Sequence, residues 1–361
     1  MKFTIRRKQT LMRDFRLMKN LLKKLFHIKL VQIILLVVLV ILLLPFFVFY
    51  IYRPITNHDI NYGVNYSNKY AQELGLDWKD TYIKILDDLN VKNLRLVAYW
   101  SDIEANRDIY DFSDLEWQIK EAQSRDVKVI LAMGKKVPRW PECFEPLWWQ
   151  NISDEEVKEH ELLEFIKETT NKFKGYDNVV MWQVENEPFF PFGLCSEFKP
   201  ETLENEISLV RDLDSRPILV QDSGEGGTWV STYKKGDYLA ISMYRKIWYD
   251  FWGVLMKRFV YFTYPLPYWS YMVKAGVLQI PSEKVIVTEL QAEPWGPGPN
   301  HLLSEEDKNQ TMSRNDFLST ISYAQKAGFN NLYLWGAEWW LWEKEKNNNP
   351  FYWDTAKAIF N

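Results

Sequence analysis

Short β-rich runs and longer amphipathic runs alternate from about residue 60 to the C-terminus. The β-rich runs are mostly apolar over five to seven positions, whereas the runs between them repeat apolar residues every three to four positions, as an amphipathic helix does. The predicted strands cover 60–64, 93–98, 127–133, 179–184, 217–221, 237–243, 284–289 and 331–336. The predicted helices cover 78–89, 114–125, 153–173, 200–213, 313–327 and 353–360.

This alternation predicts an α/β fold, a (β/α)8 TIM barrel over residues 55–361. Eight strands, most of them followed by a helix, in roughly 300 residues match the usual size of such a barrel. A doubly wound parallel sheet is the structural alternative, but it usually has fewer strands, and no G-x-G-x-x-G motif follows any strand here. In a TIM barrel the chemistry lies at the C-terminal ends of the strands, so candidate residues are sought there.

The N-terminal segment has a different pattern. Residues 30–52 form an uncharged, strongly apolar run of 23 residues, which is long enough to span a bilayer as a helix. A cleavable signal peptide would have a shorter apolar region and small residues at its end, whereas this run ends in bulky aromatic residues and Arg53. The sequence therefore predicts a single transmembrane helix, an uncleaved signal anchor that precedes the barrel.

Charge gives this anchor an orientation. Residues 1–29 carry ten Lys or Arg and one acidic residue. A positive flank stays on the cytoplasmic side, so we expect a basic cytoplasmic segment at 1–29 and an extracytoplasmic barrel on a single-pass cell-membrane protein. The formal net charge of −4 then leaves the rest of the chain strongly acidic. An acidic body repels phosphates, so no nucleic-acid partner is expected.

Two glutamates lie where predicted strands end. Glu187 follows the fourth strand, in the segment Met181–Pro188, and Glu289 ends the seventh. A glutamate at one strand end is usually a surface ion pair, but two at matching barrel positions can face each other across a substrate. Cleavage of a glycosidic bond needs such a pair of carboxyl groups. Their placement predicts a separation of about 5–5.5 Å, which is typical of a retaining mechanism.

These strand ends resemble those of clan A glycoside hydrolases, the cellulase-like and β-galactosidase-like barrels. Trp182–Pro188 is similar to their strand-four Asn-Glu-Pro signature, and Thr288-Glu289 resembles their strand-seven nucleophile. The resemblance covers roughly residues 59–361. It implies that Glu187 is the catalytic acid/base, that Asn186 binds the sugar 2-hydroxyl and that Glu289 is the nucleophile.

Three further positions are similar to that group. Arg95 resembles the strand-two arginine beside the nucleophile, Tyr244 lies where the strand-six Tyr or His does, and Trp335 resembles the strand-eight Trp under the sugar. Two positions depart from the pattern. Lys135-Lys136 and Ser242-Met243-Tyr244 stand where many members have a histidine, which leaves the family and the substrate open more than the reaction.

Aromatic residues suggest how a glycan would be held. The chain has 17 Trp, and several follow the predicted strands. Sugar faces stack on indole rings, and besides Trp335 we expect Trp100 and Trp140 to contact the glycan. Residues 246–275 form an apolar, aromatic insertion after the sixth strand. It is interpreted either as a segment that lies at the membrane interface or as an enlarged sixth helix with a self-packed loop.

The sequence thus predicts a retaining hydrolase of β-glycosidic bonds in an oligosaccharide, a polysaccharide or a lipid-linked glycan. Neither a cofactor nor a metal is needed, since no ligand-spaced His or Cys cluster occurs. Two alternatives stay open: a transglycosylase with the same residues, and a catalytically inactive, membrane-bound barrel that binds glycans. Cys143 and Cys195 either form one disulfide in an exported domain or remain two thiols.

Overall fold

The computed structural model describes residues 29–44, 47, 59–196, 198–249 and 260–361. The chain divides into two units, Met1–Ile55 and Thr56–Asn361. Eight parallel strands of the second unit close into a barrel in the order β1-β10-β9-β6-β5-β4-β3-β2. They are β1 (Asn61–Asn65), β2 (Asn93–Val97), β3 (Lys128–Met133), β4 (Val179–Val184), β5 (Ile218–Asp222), β6 (Tyr238–Met243), β9 (Val285–Gln291) and β10 (Asn331–Trp335).

The helices of this unit include all six that the sequence predicts. Those six are Trp78–Asp87, Ser113–Gln123, Glu155–Phe173, Pro200–Leu213, Arg314–Ala327 and Phe351–Phe360. Helices not expected from the sequence are Asn68–Glu73, Trp100–Ile103, Leu147–Gln150, Glu305–Met312 and Ala337–Lys346, and a further helix, Ser270–Val277, lies at the end of the aromatic insertion. Most of these additional helices lie in the loops that follow strands, where short elements interrupt the simple strand–helix alternation.

The predicted barrel is confirmed, and each predicted strand matches an observed one to within two residues at either end. Successive side chains of a strand face opposite sides of the barrel wall, and this explains why the strands could be predicted from the sequence. In β2, Leu94 and Leu96 belong to the apolar layer between strands and helices, whereas the buried Arg95 between them faces the interior. A small interior cluster of Ile130, Leu219, Ala240, Ile286 and Tyr333 fills the barrel below the polar strand ends.

The aromatic insertion is partly described. β7 (Lys246–Tyr249) and β8 (Val260–Thr263) form an antiparallel hairpin outside the barrel, and residues 250–259 between them lie outside the described residues. The helix Ser270–Val277 follows and buries Tyr271 and Ala275. A hairpin therefore precedes the helix in this insertion, and contact with the membrane interface stays a prediction.

The predicted membrane anchor is also partly described. Residues 29–44 are helical, with exposed apolar side chains, whereas most of 45–52 lies outside the described residues. Within the described part of the chain, no helix combines the length and the hydropathy that a membrane crossing requires.

Candidate active site

The two predicted glutamates lie at the C-terminal end of the barrel, and both are buried. Glu187 is 6% exposed and Glu289 is 5% exposed. Glu289 belongs to β9, whereas Glu187 lies in the turn after β4, where both Glu185 and Glu187 have positive φ angles of 61° and 47°. Residues other than glycine rarely adopt such angles, and strain of this kind concentrates at functional sites.

Arg95 organises the floor of the site. A guanidinium has five N–H donors, and each of them is used here. Nε donates to Gln183 Oε1 at 2.7 Å, and Nη1 donates to Glu289 Oε1 at 2.8 Å. The remaining donors reach Asn65 Oδ1 at 3.0 Å, Asn186 Oδ1 at 2.7 Å and Gln221 Oε1 at 2.7 Å. One buried cation therefore fixes the orientation of Glu289 and Asn186 together.

Glu289 accepts two hydrogen bonds besides that of Arg95. Gln221 Nε2 donates to Oε1 at 2.9 Å, and the Tyr244 hydroxyl donates to Oε2 at 3.3 Å. Burial and the charge of Glu289 raise the pKa of Tyr244 well above its usual range, so this phenol remains a donor. Donors on both oxygens thereby orient the Glu289 carboxylate.

Glu187 lies in a different environment. Its Oε1 accepts one hydrogen bond, from Ser242 Oγ at 2.7 Å. Burial raises the pKa of Glu187 to about 8, and the nearby charge of Glu289 contributes in the same direction. Near neutral pH, Glu187 is therefore protonated, whereas Glu289 is paired with a guanidinium. One acid and one carboxylate thus face the same space, which is the arrangement that glycosidic bond cleavage requires.

We expect the pKa of Glu187 to set the alkaline limit of activity. The protonated form is the competent one, so kcat/KM should fall as the pH rises through about 8. The hydrogen bond from Ser242 lowers this pKa, so Ser242→Ala should move the alkaline limb to higher pH. A profile of kcat/KM against pH for both proteins checks this expectation. An alkaline limb in the same place in both would contradict the role of Glu187 as the titrating acid.

Lys135 and Lys136, which stand where many clan A members have a histidine, stabilise the turn that carries Glu187. Lys136 Nζ donates to the backbone carbonyls of Glu187 at 2.9 Å and Phe190 at 2.8 Å. The Glu185 carboxylate accepts the backbone N–H groups of Lys135 at 2.8 Å and Lys136 at 2.7 Å. Gly134 makes room for it, since a Cβ there would lie 2.3 Å from Glu185 Oε1. These contacts secure the unusual backbone of the turn.

Trp335 lies beside the site but is not a free platform. It is 7% exposed, and its Nε1 donates to Glu293 Oε1 at 2.8 Å. The Arg139 guanidinium lies over the Trp335 ring, 4.1 Å from the centroid. Arg139 is itself paired with Glu293 at 2.5 Å and with Glu338 at 3.1 Å. A buried ionic cluster therefore borders the tryptophan.

The other two tryptophans that were expected to contact the glycan, Trp100 and Trp140, differ in their exposure. Trp100 is fully buried, stacks on Phe165 at 5.2 Å and donates its Nε1 hydrogen to Glu104 at 2.7 Å. The expected glycan contact at Trp100 is therefore wrong, because the indole belongs to the aromatic core between loop and helix. Trp140 is 62% exposed and 6.0 Å from the Phe192 ring, so it remains available to a ligand.

A disulfide joins two loops of the site. Cys143, in the loop after β3, is bonded to Cys195, in the loop after β4. Between these loops, Leu194 N donates to Pro141 O at 3.0 Å. Gly193 has a φ of +88°, and a Cβ there would lie 2.8 Å from Pro141 O, so only glycine allows this close approach. The loop that carries Arg139 and Trp140 is thereby fixed to the loop that carries Glu187.

The structure brings together Glu187, Glu289, Asn186, Arg95 and Tyr244, with Trp335 beside them. Sequence reasoning missed the polar residues that complete the network, of which four lie in strands and two, Arg139 and Glu293, lie in loops. A polar residue inside an otherwise apolar strand was the available signal, since such a side chain is costly to bury unless it is hydrogen-bonded. The missed residues are Asn65, Gln183, Gln221, Ser242, Arg139 and Glu293.

Comparison with solved structures supports the same fold. The chain is similar to GH5_18 from Streptomyces cattleya in complex with GlcNAc, with 13% identity and a TM-score of 0.53 over 77% of this chain and 70% of that one. It is also similar to the exo-β-1,4-mannosidase Op5Man5 from Opitutaceae bacterium strain TAV5, with 17% identity and a TM-score of 0.52 over 78% and 53%. Xylanase 10B from Thermotoga petrophila RKU-1 matches with 14% identity and a TM-score of 0.53 over 85% and 100%.

At such identities these likenesses show the fold alone. A comparison with curated protein sequences gives no significant match. The family model for cellulase (glycosyl hydrolase family 5) matches residues 58–332, which is most of the chain and includes both strand-end glutamates. With that match and the paired carboxyl groups at the barrel mouth, this chain belongs to glycosyl hydrolase family 5 and is a glycosidase.

Proposed function

We propose that this glycosidase cleaves β-glycosidic bonds with retention of anomeric configuration. The observation that carries the proposal is the asymmetry of the two buried glutamates. Glu289 accepts hydrogen bonds from Arg95, Gln221 and Tyr244, whereas Glu187 accepts one from Ser242 among the described residues and has a raised pKa. A general acid must be protonated before the reaction begins, and the raised pKa of Glu187 suits that role, whereas the donors around Glu289 hold its carboxyl group in place as the nucleophile.

In the first step, Glu289 attacks the anomeric carbon while Glu187 gives its proton to the departing glycosidic oxygen. The bond from the anomeric carbon to that oxygen breaks, and an ester between the sugar and Glu289 forms. In the second step, Glu187, now ionised, takes a proton from water, whose oxygen displaces Glu289. Two displacements at one carbon restore its original configuration. This mechanism requires a separation of about 5–5.5 Å between the carboxyl groups of Glu187 and Glu289.

Asn186 is proposed to bind the sugar next to the bond that is cleaved. Its Oδ1 accepts a hydrogen bond from Arg95 at 2.7 Å, which leaves the amide NH2 group to donate to the 2-hydroxyl of the sugar. Hydrogen bonds to this hydroxyl strengthen in the transition state of glycoside hydrolysis. Trp335, beside the nucleophile, supplies an apolar wall for the same sugar.

The location of the enzyme is a second part of the proposal. The uncharged run 30–52 and the basic segment 1–29 support a single-pass anchor with its N-terminus in the cytoplasm and the barrel outside. The hairpin β7–β8 and the helix after it expose Phe262, Val273 and Val277, which suits contact with a lipid surface. The substrate would then be an extracytoplasmic glycan, either an oligo- or polysaccharide or a lipid-linked one.

The role of Glu187 is tested by leaving-group dependence. In Glu187→Ala, we expect kcat/KM for an alkyl or sugar leaving group to fall by about 10²–10⁴, because protonation of the departing oxygen is lost. A dinitrophenyl β-glycoside needs no such proton, so its glycosylation step should change little. Stopped-flow release of dinitrophenol and steady-state rates on aryl glucosides, galactosides and mannosides provide the measurement.

Glu283→Ala is the matched control, since Glu283 is exposed and precedes the opposite end of β9. It should retain wild-type rates on every substrate. Equal losses on good and poor leaving groups in Glu187→Ala would contradict the acid/base assignment. Transfer of the sugar to added acceptors in place of water would instead identify a transglycosylase with the same two glutamates.

A further inference from the structure

Two loops that start on opposite sides of the barrel mouth meet over the site. In the closed strand order, three strands separate β3 from β9 on either side, so these two strands are diametrically opposed. Parallel strands end at the same face, and the loops after β3 and β9 therefore face each other across the mouth. The first carries Arg139 and Trp140, and the second carries Glu293 and Trp295.

The first contact between these loops is ionic. Arg139 pairs with Glu293 at 2.5 Å, and it also pairs with Glu338, in the helix after β10, at 3.1 Å. Its guanidinium lies 3.7 Å from the centroid of the Tyr70 ring, on the helix after β1, and 4.1 Å from that of Trp335. The loops after four strands thus converge on one cation that is only 8% exposed. We call this group, Tyr70, Arg139, Glu293, Trp335 and Glu338, the Arg139 cluster.

Burial lowers the pKa of Arg139, but Glu293 and Glu338 outweigh this effect and hold the pKa above its ordinary value. The cation of the Arg139 cluster is therefore permanently charged. Separating Arg139 from its partners would leave the buried carboxyl groups of Glu293 and Glu338 without their counter-ion, which is strongly unfavourable. The contact is accordingly a fixed wall of the site.

The second contact is aromatic. Trp140, after β3, lies 6.0 Å from Phe192, after β4, and Phe192 lies 5.3 Å from Trp295, after β9. Trp295 in turn lies 4.8 Å from Tyr244, whose hydroxyl bonds to Glu289. This row of rings crosses the mouth beside the Arg139 cluster. The glutamates below are correspondingly no more than 6% exposed.

A polysaccharide that is cut internally must lie along a cleft that is open at both ends. Arg139 and Glu293 both act electrostatically on Tyr244, whose hydroxyl bonds to the nucleophile Glu289. In the closed strand order, β10, which carries Trp335, lies diametrically opposite β4, after which Glu187 comes. The Arg139 cluster therefore closes the side of the site away from Glu187, where the sugar bonded to Glu289 would extend. The chain beyond the cleaved bond leaves on the other side, past the acid Glu187. The glycone is the part of the substrate that becomes bonded to Glu289. If its side of the site is closed, only one sugar fits there, because a second sugar would have to displace a buried ion pair.

We propose that the enzyme is exo-acting: it removes a single sugar from the non-reducing end of a β-linked glycan, and the Arg139 cluster is the barrier that excludes a second glycone unit. This inference rests on the proposed glycosidase mechanism and specifies its substrate class. The substrates are glycans with a free non-reducing terminus, and the product is a monosaccharide together with a glycan shortened by one unit.

The test compares nitrophenyl β-monoglycosides with the matching β-linked biosides of glucose, mannose and galactose, with products identified by chromatography. The wild type should release nitrophenol from a monoglycoside at once. From the bioside it should release a monosaccharide first and nitrophenol only after a lag. Immediate release of nitrophenol with an intact disaccharide would overturn the inference while leaving the glycosidase mechanism in place. Absence of turnover on every substrate would overturn the mechanism as well.

Arg139→Met removes the cation, and with it the ion pairs to Glu293 and Glu338 that join the loops into a wall. It should raise the share of intact disaccharide released from the bioside by at least about tenfold, since the wall of the glycone side is opened. Arg211→Met is the matched control, because Arg211 forms an ion pair with Asp237 at 3.1 Å on a barrel helix and is 45% exposed at its side chain. Its product ratio should equal that of the wild type. If Arg139→Met does not fold, the wild-type product order alone decides the inference.

Discussion

Glu289→Ala should lower kcat/KM by about 10⁴-fold or more, and azide should restore turnover with an α-glycosyl azide as the product. The loss is expected because no carboxylate remains to attack the anomeric carbon. The alanine leaves a space on that face of the sugar, and a small anion can enter it. Attack from this face in one displacement inverts a β-linked sugar to an α-azide. Rates with and without azide, and the configuration of the product by NMR, provide the measurement.

This outcome distinguishes Glu289 from every other carboxylate of the site. Glu187→Ala with an activated substrate should instead yield a β-glycosyl azide, because azide then replaces water in the second displacement. Glu283→Ala should show neither loss nor azide dependence. An unchanged rate in Glu289→Ala, or a loss that azide does not affect on any aryl β-glycoside, would show that the nucleophile lies elsewhere.

Arg95→Met should damage both the stability and the reaction. The substitution removes five hydrogen bonds and leaves Glu289 buried without a cation. Breaking a buried ion pair by removal of one partner costs about 3–5 kcal/mol in the free energy of unfolding. We expect a loss of that size in urea denaturation. We also expect a drop of about 10²–10³ in kcat, because the orientation of the nucleophile and of Asn186 is lost.

Arg211→Met provides the comparison for Arg95→Met as well, since its ion pair with Asp237 is exposed. Exposed pairs contribute about 0–1 kcal/mol, so that variant should unfold close to the wild-type midpoint. An Arg95→Met protein with wild-type stability and a reduced kcat would mean that Arg95 acts on the reaction alone. Wild-type activity in a destabilised protein would remove Arg95 from the site.

The barrel and the centre of the site were predictable from sequence because both leave local signals. Strands buried on both faces read as apolar runs, and a parallel barrel collects their ends at one face. Glu187 and Glu289 were therefore identifiable from strand ends and the Asn-Glu-Pro signature. Arg95 was identified through its resemblance to the strand-two arginine of clan A, and its burial in an apolar run accounts for the partners that it has.

The walls of the site were not predictable in the same way. Arg139 and Glu293 are 154 residues apart in the chain, and neither lies in a strand. Their pairing depends on the path of two loops across the mouth, which no local periodicity encodes. The expected glycan contact of Trp100 was wrong for a related reason. A tryptophan after a strand looks the same in sequence whether it lines a cleft or stacks on a helix residue such as Phe165.

The disulfide between Cys143 and Cys195 makes the joining of two loops of the site depend on the redox state of the compartment that holds the chain. Its two cysteines are 52 residues apart, and closing a loop of that length removes enough entropy from the unfolded chain to stabilise the fold by about 4 kcal/mol. Such bonds persist in oxidising compartments and are kept reduced in the cytosol. A chain held in the cytosol would therefore have the same barrel with the loops of Arg139 and Glu187 untied. If the barrel is exported as proposed above, the disulfide would form only after export, and full activity would be confined to the side of the membrane where the proposed glycan is met.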